Sequence, residues 1–366
     1  MRILLIGEYS NVHWTLAEGL RKLGHDVTVA SNGDYWKNYS RDISIIRKDN
    51  SLLESLRYYI SLEKTFLGFK GYDVVQLINP VFLELKAERI LHFYKKLRKN
   101  NHKIFLSALG MDHYYVKACI ENRIFDYSEL VVDGKFRDIE DNRDAVRDWI
   151  NGYKGTLNQI IADDCNGIIA GLWEYYESYR PYFSDKLTFV PMPVKPGQPA
   201  ERFIEKFDNK VRFFIGIQKS RNEFKGTDIL LKILLRLEAE FPDRCVVKKV
   251  ENVPFNEYRR IMRDSDILID QLYSPTPNMN SLLAMSQGLI VAGGGEEAPY
   301  ALIGESKLRP VINLLCKEEE IYETLKDVVL HAERIPRLKR DAVDYINRYH
   351  TPEMVAEKYL DFWKSH

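Results

Sequence analysis

Arg212-Phe-Phe-Ile-Gly216, Ile217-Gln-Lys-Ser-Arg-Asn-Glu-Phe-Lys-Gly226 and Thr227–Glu240 follow one another directly. The first is a short aromatic and apolar run that reads as a strand, and the last reads as a helix. The loop between them carries Lys219, Arg221 and Lys225, then Gly226 ahead of a capping Thr227. The alternation continues. Cys245–Val250, Ile267–Asp270 and Leu289–Ala292 read as strands, with helices predicted over Pro254–Asp264 and Asn280–Gln287. A strand, a crossover helix and a further strand make a βαβ unit, so this half is expected to be a doubly wound parallel sheet.

The earlier part of the chain shows the same rhythm. Arg2–Ile6 is a strand, Gly7-Glu-Tyr-Ser-Asn11 a turn, and Leu16, Leu20 and Leu23 mark one face of a helix that Gly24 stops. Asp26–Ala30, Asp73–Ile78 and Lys103–Leu106 are further strands, with a helix from about Leu83 to Arg98. Residues 114–160 are polar and irregularly patterned and read as an insertion with helices. Gly167–Ala170 and Leu187–Val190 close this half. Val190–Pro199 is the densest proline stretch and reads as a linker or hinge about which two halves would close. The expected boundaries are 1–192 for an N-terminal Rossmann-like domain and 193–350 for a C-terminal one, with 351–366 as a closing segment.

Composition narrows the function. Lys+Arg and Asp+Glu both number 53, so no net charge draws the chain toward nucleic acid. Met1–Gly7 is too short an apolar run for a secretory signal, and no window reaches the length of a membrane span. Cys119, Cys165, Cys245 and Cys316 are far apart and match no metal spacing. A reduced, cytoplasmic protein is expected.

Open parallel sheets bind ligands beyond the carboxyl ends of their strands, so the informative residues belong in the loops after strands. Gly7 to His13 is the first such loop, with Ser10 and Asn11 ahead of a helix N-terminus. It lacks the further glycines of the dinucleotide fingerprint, which argues against a dehydrogenase. His13 itself reads first as a helix-surface residue. Gly110–Tyr114 is the second loop. His113 there reads either as a solvated side chain or as a contact to sugar hydroxyls or a reacting centre. The third is the cationic loop Lys219–Gly226, where a helix N-terminus and added cations suit a diphosphate. The fourth is Tyr273–Ser281, with Asn278, Asn280 as N-cap, and Ser281. It leads into Leu282–Gly288 and then to Gly293-Gly-Gly-Glu-Glu297, whose glycines would let backbone approach a ligand.

Together these segments resemble the GT-B glycosyltransferases, in particular the retaining family-four (group 1) enzymes, over nearly the whole chain. Gly216, Lys225 and Gly226 match that family's donor-diphosphate motif, with Lys219 or Arg221 in place of the expected arginine. Leu282-Leu-Ala-Met-Ser-Gln-Gly288 and Leu289–Gly295 look like its later segment, and Thr351–Trp363 is similar to its closing helix. The resemblance implies an α/β fold of GT-B architecture, with two doubly wound Rossmann-like domains facing a central cleft. It also implies two glutamates eight positions apart, one on the donor sugar and one on the ribose. Pro275 and Leu283 stand there instead. Glu296 and Glu297, or Asn278 and Asn280, are the candidates to take over those contacts.

The implied chemistry is transfer of a sugar from a nucleotide-diphosphate donor through an oxocarbenium-like state. Positive potential where the diphosphate leaves is the useful catalyst. Lys225 with Lys219, Arg221, Gly226, Asn280 and Ser281 would supply it, without a metal or a cofactor beyond the donor itself. His113 would touch the transferred sugar, and Gly7, Ser10, Asn11 and His13 would line the acceptor side. The acceptor would be a glycan, a lipid-linked molecule or a small molecule. Tyr94–Lys99 reads first as a solvated helix face, and second as a weak membrane-surface contact. A catalytically degenerate nucleotide-sugar-binding protein and a nucleotide-sugar epimerase are the alternatives.

Overall fold

The computed structural model describes residues 1–122, 124–197, 208, 210–251 and 253–366. It divides into two compact units. One comprises 1–124, 144–193 and 352–366, and the other 125–143 and 194–351.

In chain order the strands are β1 (Arg2–Ile6), β2 (Asp26–Ser31), β3 (Ile43–Ser44), β4 (Val74–Leu77), β5 (Lys103–Ala108), β6 (Val131–Val132), β7 (Lys135–Phe136), β8 (Gly167–Ala170) and β9 (Leu187–Phe189). They continue with β10 (Val211–Ile217), β11 (Cys245–Glu251), β12 (Ile267–Ile269), β13 (Ile290–Gly293) and β14 (Val311–Asn313). The helices are α1 (Val12–Lys22), α2 (Leu52–Leu67), α3 (Ala87–Asn100), α4 (His113–Lys117), α5 (Glu140–Trp149), α6 (Tyr153–Asp164) and α7 (Trp173–Phe183). Beyond them lie α8 (Asn222–Lys225), α9 (Thr227–Glu240), α10 (Phe255–Arg263), α11 (Met279–Ser286), α12 (Glu297–Ile303), α13 (Glu318–Leu330), α14 (Ile335–Tyr349) and α15 (Pro352–Ser365).

The first unit's sheet runs β3-β2-β1-β4-β5-β8-β9, all parallel. Strand order reverses direction between β1 and β4, which makes that junction its switch point. Strands such as Val74–Leu77 are buried on both faces, as a helix-covered parallel sheet requires. Leu16 and Leu20 of α1 and Val355, Tyr359 and Trp363 of α15 pack into one core with Ile3, Leu5 and Phe105. Gly19 makes the α1–α15 contact possible, since a methyl there would stand 2.1 Å from the Pro352 carbonyl oxygen. The Trp363 indole donates to Gln76 Oε1 at 3.0 Å inside this core.

The second unit's sheet runs β11-β10-β12-β13-β14, again parallel, with its switch point between β10 and β12. Its core joins Phe213, Ile215, Leu230, Leu234, Ile267, Ile290 and Tyr322. A buried ion pair ties α14 to the base of this sheet. Lys339 Nζ lies 2.5 Å from Asp266 Oδ1, and Asp266 Oδ2 accepts the Arg212 amide at 2.9 Å.

Several boundaries differ from expectation. The α3 helix starts at Ala87 rather than near Leu83. Asn278, not Asn280, caps α11: its side chain accepts the Asn280 amide at 3.0 Å. The proline run is packed rather than free, because Val190, Met192 and Val194 are buried. Val190 donates to Ala170 O, and Val194 to His350 O. Gln198 and Pro199 of the expected hinge lie outside the described residues.

Candidate functional site

In the second unit the cationic loop and the asparagine-bearing loop meet at the switch point. After β10 the chain makes a 3-10 turn, Lys219–Arg221, then the short α8. Gly226 (φ 70°) then turns it into α9. The Leu272 amide donates to the Lys225 carbonyl at 2.8 Å, fastening this turn to the end of β12. Contact is close enough that a methyl on Gly226 would stand 2.7 Å from the Tyr273 ring.

Asp270, the first residue after β12, lies beside this junction, partly buried. Its carboxylate accepts the Ser281 hydroxyl, is bonded by Asn278 and the Gln271 amide, and feels the Lys225 charge. Burial pushes its carboxyl up, while Ser281 and Lys225 hold it back. The α11 N-terminus is thereby fixed beside Lys225. Asn280 Oδ1 accepts the Tyr258 hydroxyl at 3.2 Å, and Tyr258 in turn lies against Gly216. Lys225, Gly226, Asn278, Asn280 and Ser281 are thus brought together. Lys219 and Arg221 point elsewhere: Lys219 pairs with Glu251 at 3.6 Å, and the Arg221 guanidinium stacks on Phe224.

The glycine run has a different purpose from the expected one. A methyl on Gly294 would stand 1.7 Å from the Ser274 carbonyl oxygen, and one on Gly295 2.9 Å from Val311. These glycines let protein segments touch. Glu296 and Glu297 are also engaged. Glu296 Oε1 accepts the Tyr127 hydroxyl at 2.9 Å and Asn313 Nδ2 at 3.3 Å, and Glu297 pairs with Arg309 at 2.7 Å.

Residues 125–143 brace this region, a role that their polar pattern does not announce. Arg137 donates to the carbonyls of Glu223 (2.7 Å) and Phe224 (3.2 Å). Its guanidinium carbon also lies 3.5 Å from the Tyr273 ring centroid, a cation–π contact. One side chain therefore holds both the cationic loop and the segment after β12.

In the first unit, Gly7 (φ 84°) packs so tightly that a methyl would stand 2.2 Å from Ile78 Cγ2. Ser10 donates its amide to Asp34 at 2.8 Å, and Asn11 Nδ2 bonds Thr15. His13 is buried, not on the helix surface as expected. Its Nδ1 bonds the Gly7 carbonyl at 2.8 Å, which leaves Nε2 as a bare acceptor with no partner among the described residues. Glu8, passed over as a turn residue, caps α1 through the His13 and Trp14 amides. Burial lifts its carboxyl to about 8 and lowers His13 to about 4.

These shifts have opposite consequences. The folded unit keeps His13 neutral while the unfolded chain protonates it below its ordinary 6.5, so stability is lost as pH falls from there toward 4. Glu8 acts in reverse, costing stability as pH rises from 4.5 to 8. His13→Gln keeps a donor for Gly7 and removes only the first effect. Between pH 7 and 4.5 the native chain is expected to lose about 2.5 kcal/mol relative to this variant, as measured by urea unfolding of both.

His113 is spoken for. Its Nδ1 bonds the Trp149 carbonyl at 2.7 Å, and Nε2 lies 2.8 Å from Gln159 Nε2. A sugar contact there requires Gln159 to yield its bond. The neighbouring Asp112 caps α4 and accepts the Tyr179 hydroxyl at 2.9 Å, with burial lifting its carboxyl to about 7. Among the described residues, no three His, Cys, Asp or Glu side chains cluster as metal ligands.

In sequence, no family model and no curated protein matches the chain. In structure the likeness is full-length. Sucrose-phosphate synthase from Thermosynechococcus elongatus superposes with a TM-score of 0.63 at 10% identity, covering 100% of this chain and 99% of that one. Anabaena HepE, solved with UDP and glucose, gives 0.62 at 10% identity, with all of both chains covered. The fold is GT-B. The GT-B fold also accommodates other chemistry. A protein assigned as a UDP-N-acetylglucosamine 2-epimerase, from Listeria monocytogenes, has a TM-score of 0.54 at 9% identity, covering 98% of this chain and 94% of that one.

Proposed function

We propose that the chain is a glycosyltransferase that takes a sugar from a nucleoside-diphosphate donor, with retention of configuration and without a metal. The observation that carries this reading is the junction of Lys225–Gly226 with Asp270, Asn278 and Ser281 at the second switch point. An ammonium group, a glycine-freed backbone turn and a helix N-terminus meet there, which is what a departing diphosphate needs. Retention rests on the resemblance of Gly216, Lys225, Gly226 and Leu282–Gly288 to the retaining group 1 enzymes. Pro275 and Leu283 offer no side-chain acceptor for sugar or ribose, so Asn278 and Asn280 take those contacts. In the first unit, the loop of Gly7, Ser10 and Asn11 lines the acceptor side, with His13 buried behind it. The acceptor is a glycan, a lipid-linked molecule or a small molecule, and the chain works in the cytoplasm.

UDP-sugars are the first donors to test, because HepE was solved with UDP and glucose. A thermal-shift panel of UDP-, GDP-, ADP- and dTDP-sugars is expected to give one stabilising class, worth about 2.7 kcal/mol at a hundredfold excess over Kd. Slow donor hydrolysis should accompany that hit. Stabilisation with neither hydrolysis nor transfer to any acceptor would replace the enzyme with a binding protein. The epimerase reading draws on the Listeria neighbour, but Glu296 and Glu297 are already engaged by Tyr127, Asn313 and Arg309. Release of an epimerised sugar from UDP-N-acetylglucosamine would reverse that preference.

A further inference from the structure

Helix α2 is apolar on two faces. Tyr58, Leu62 and Phe66 are buried, Phe66 against Phe93 of α3, as in any surface helix. Yet Leu52 (91% exposed), Leu53 (70%), Leu56 (59%), Ile60 (47%) and Leu67 (71%) face solvent. At about 100° per residue these five fall within roughly a 100° arc, so they form one stripe rather than scattered exposures.

Cations border the stripe on both sides. Exposed Arg57 and Lys64 follow it around the helix. On the other side α3 packs alongside, and Glu63, which falls within the arc, is drawn to it by His92 (2.9 Å) and Lys96, while the Tyr59 ring meets Phe93 and Arg89. From Lys86 to Asn100 six Lys and Arg stand against one acid, Glu88, in a chain whose net charge is zero. Of the acids in α2, Glu54 is buried and Glu63 is already paired. Among the described residues no helix is long and apolar enough to cross a membrane.

We propose that the outer face of α2, together with the cations of α3, docks on an anionic lipid bilayer. Aliphatic side chains on a convex helix, flanked by Lys and Arg, match the boundary between acyl chains and anionic headgroups. The stripe would enter that boundary while Arg57, Lys64, Arg89, Lys95 and Lys99 meet phosphates. The expected surface contact at Tyr94–Lys99 thus becomes the electrostatic flank of a site centred on α2. The surface involves no transfer chemistry, so its failure would leave the donor-site reading intact.

Sedimentation of the full chain with phosphatidylcholine vesicles carrying about a third phosphatidylglycerol tests this. The native chain is expected to sediment with these vesicles and not with phosphatidylcholine alone. Leu56→Gln/Ile60→Gln should weaken partitioning at least about tenfold, and Lys95→Gln/Lys99→Gln about thirtyfold. All four residues are exposed, so circular dichroism should be unchanged. Equal binding by native chain and variants, or no binding to anionic vesicles, overturns the proposal. So does a native dimer that light scattering shows falling to monomer in Leu56→Gln/Ile60→Gln, which would mean that a second copy covers the stripe.

Discussion

Lys225→Ala is expected to lower sugar transfer roughly a hundred- to a thousandfold, the range seen when one fixed charge stabiliser is removed from an active site. The side chain is half-buried beside Asp270, so its charge sits in a poorly screened place. In the proposed reaction negative charge grows on the bridging oxygen as the donor splits, and only positive charge already in position avoids a reorganisation cost. The loss should therefore appear in kcat more than in KM. Removing the ammonium also takes away one of the influences that hold down the Asp270 carboxyl, so that carboxyl should rise further. The backbone bond from Leu272 to the Lys225 carbonyl does not depend on the side chain, so the unfolding midpoint should hardly move. Unchanged turnover with every nucleotide sugar would remove Lys225 from the mechanism.

Asp266→Ala should destabilise the second unit by about 3–5 kcal/mol, because it strands the Lys339 ammonium without its carboxylate. Both side chains are about 5% exposed, so water cannot substitute for the missing partner. Arg212 loses two contacts as well, the acceptor of its amide and a guanidinium ion pair at 3.4 Å, the latter shared with Asp208. Asp266→Leu combined with Lys339→Met removes both charges at once, and denaturant unfolding should show most of the stability restored. If the double variant is as unstable as the single one, the pair acts through geometry rather than charge.

Legibility in the sequence depended on whether the information is local. The βαβ alternation is local, which is why the helix expected over Thr227–Glu240 appears with those bounds. The closing helix at Pro352–Ser365 was expected, over Thr351–Trp363, only from the family resemblance. The Lys225–Gly226 step was readable because an ammonium, a glycine and a capping residue are consecutive. Asp270 and Glu8 were not singled out, because a lone carboxylate after an apolar strand looks like any loop acid until its partners are known. The position just past a strand end was the available signal. His13 went wrong for the same reason, since nothing nearby shows that α1 buries it. Gly293–Gly295 suggested open backbone, whereas Gly294 accommodates Ser274, some twenty residues earlier, and Gly295 accommodates Val311 on a later strand. Arg137 reaches loops nearly ninety positions away, and no spacing rule covers that distance.

The way the chain is shared between its two units bears on how it is born. It passes from one to the other at 124/125, 143/144, 193/194 and 351/352, four times in all. The amino-terminal unit therefore cannot finish folding as it leaves the ribosome. The groove lined by Leu16 and Leu20 waits for Val355, Tyr359 and Trp363, which are made only after residues 194–351 of the other unit. Until then a nascent chain carries a half-built apolar core, so the first unit completes its packing after the second has been made rather than in order of synthesis.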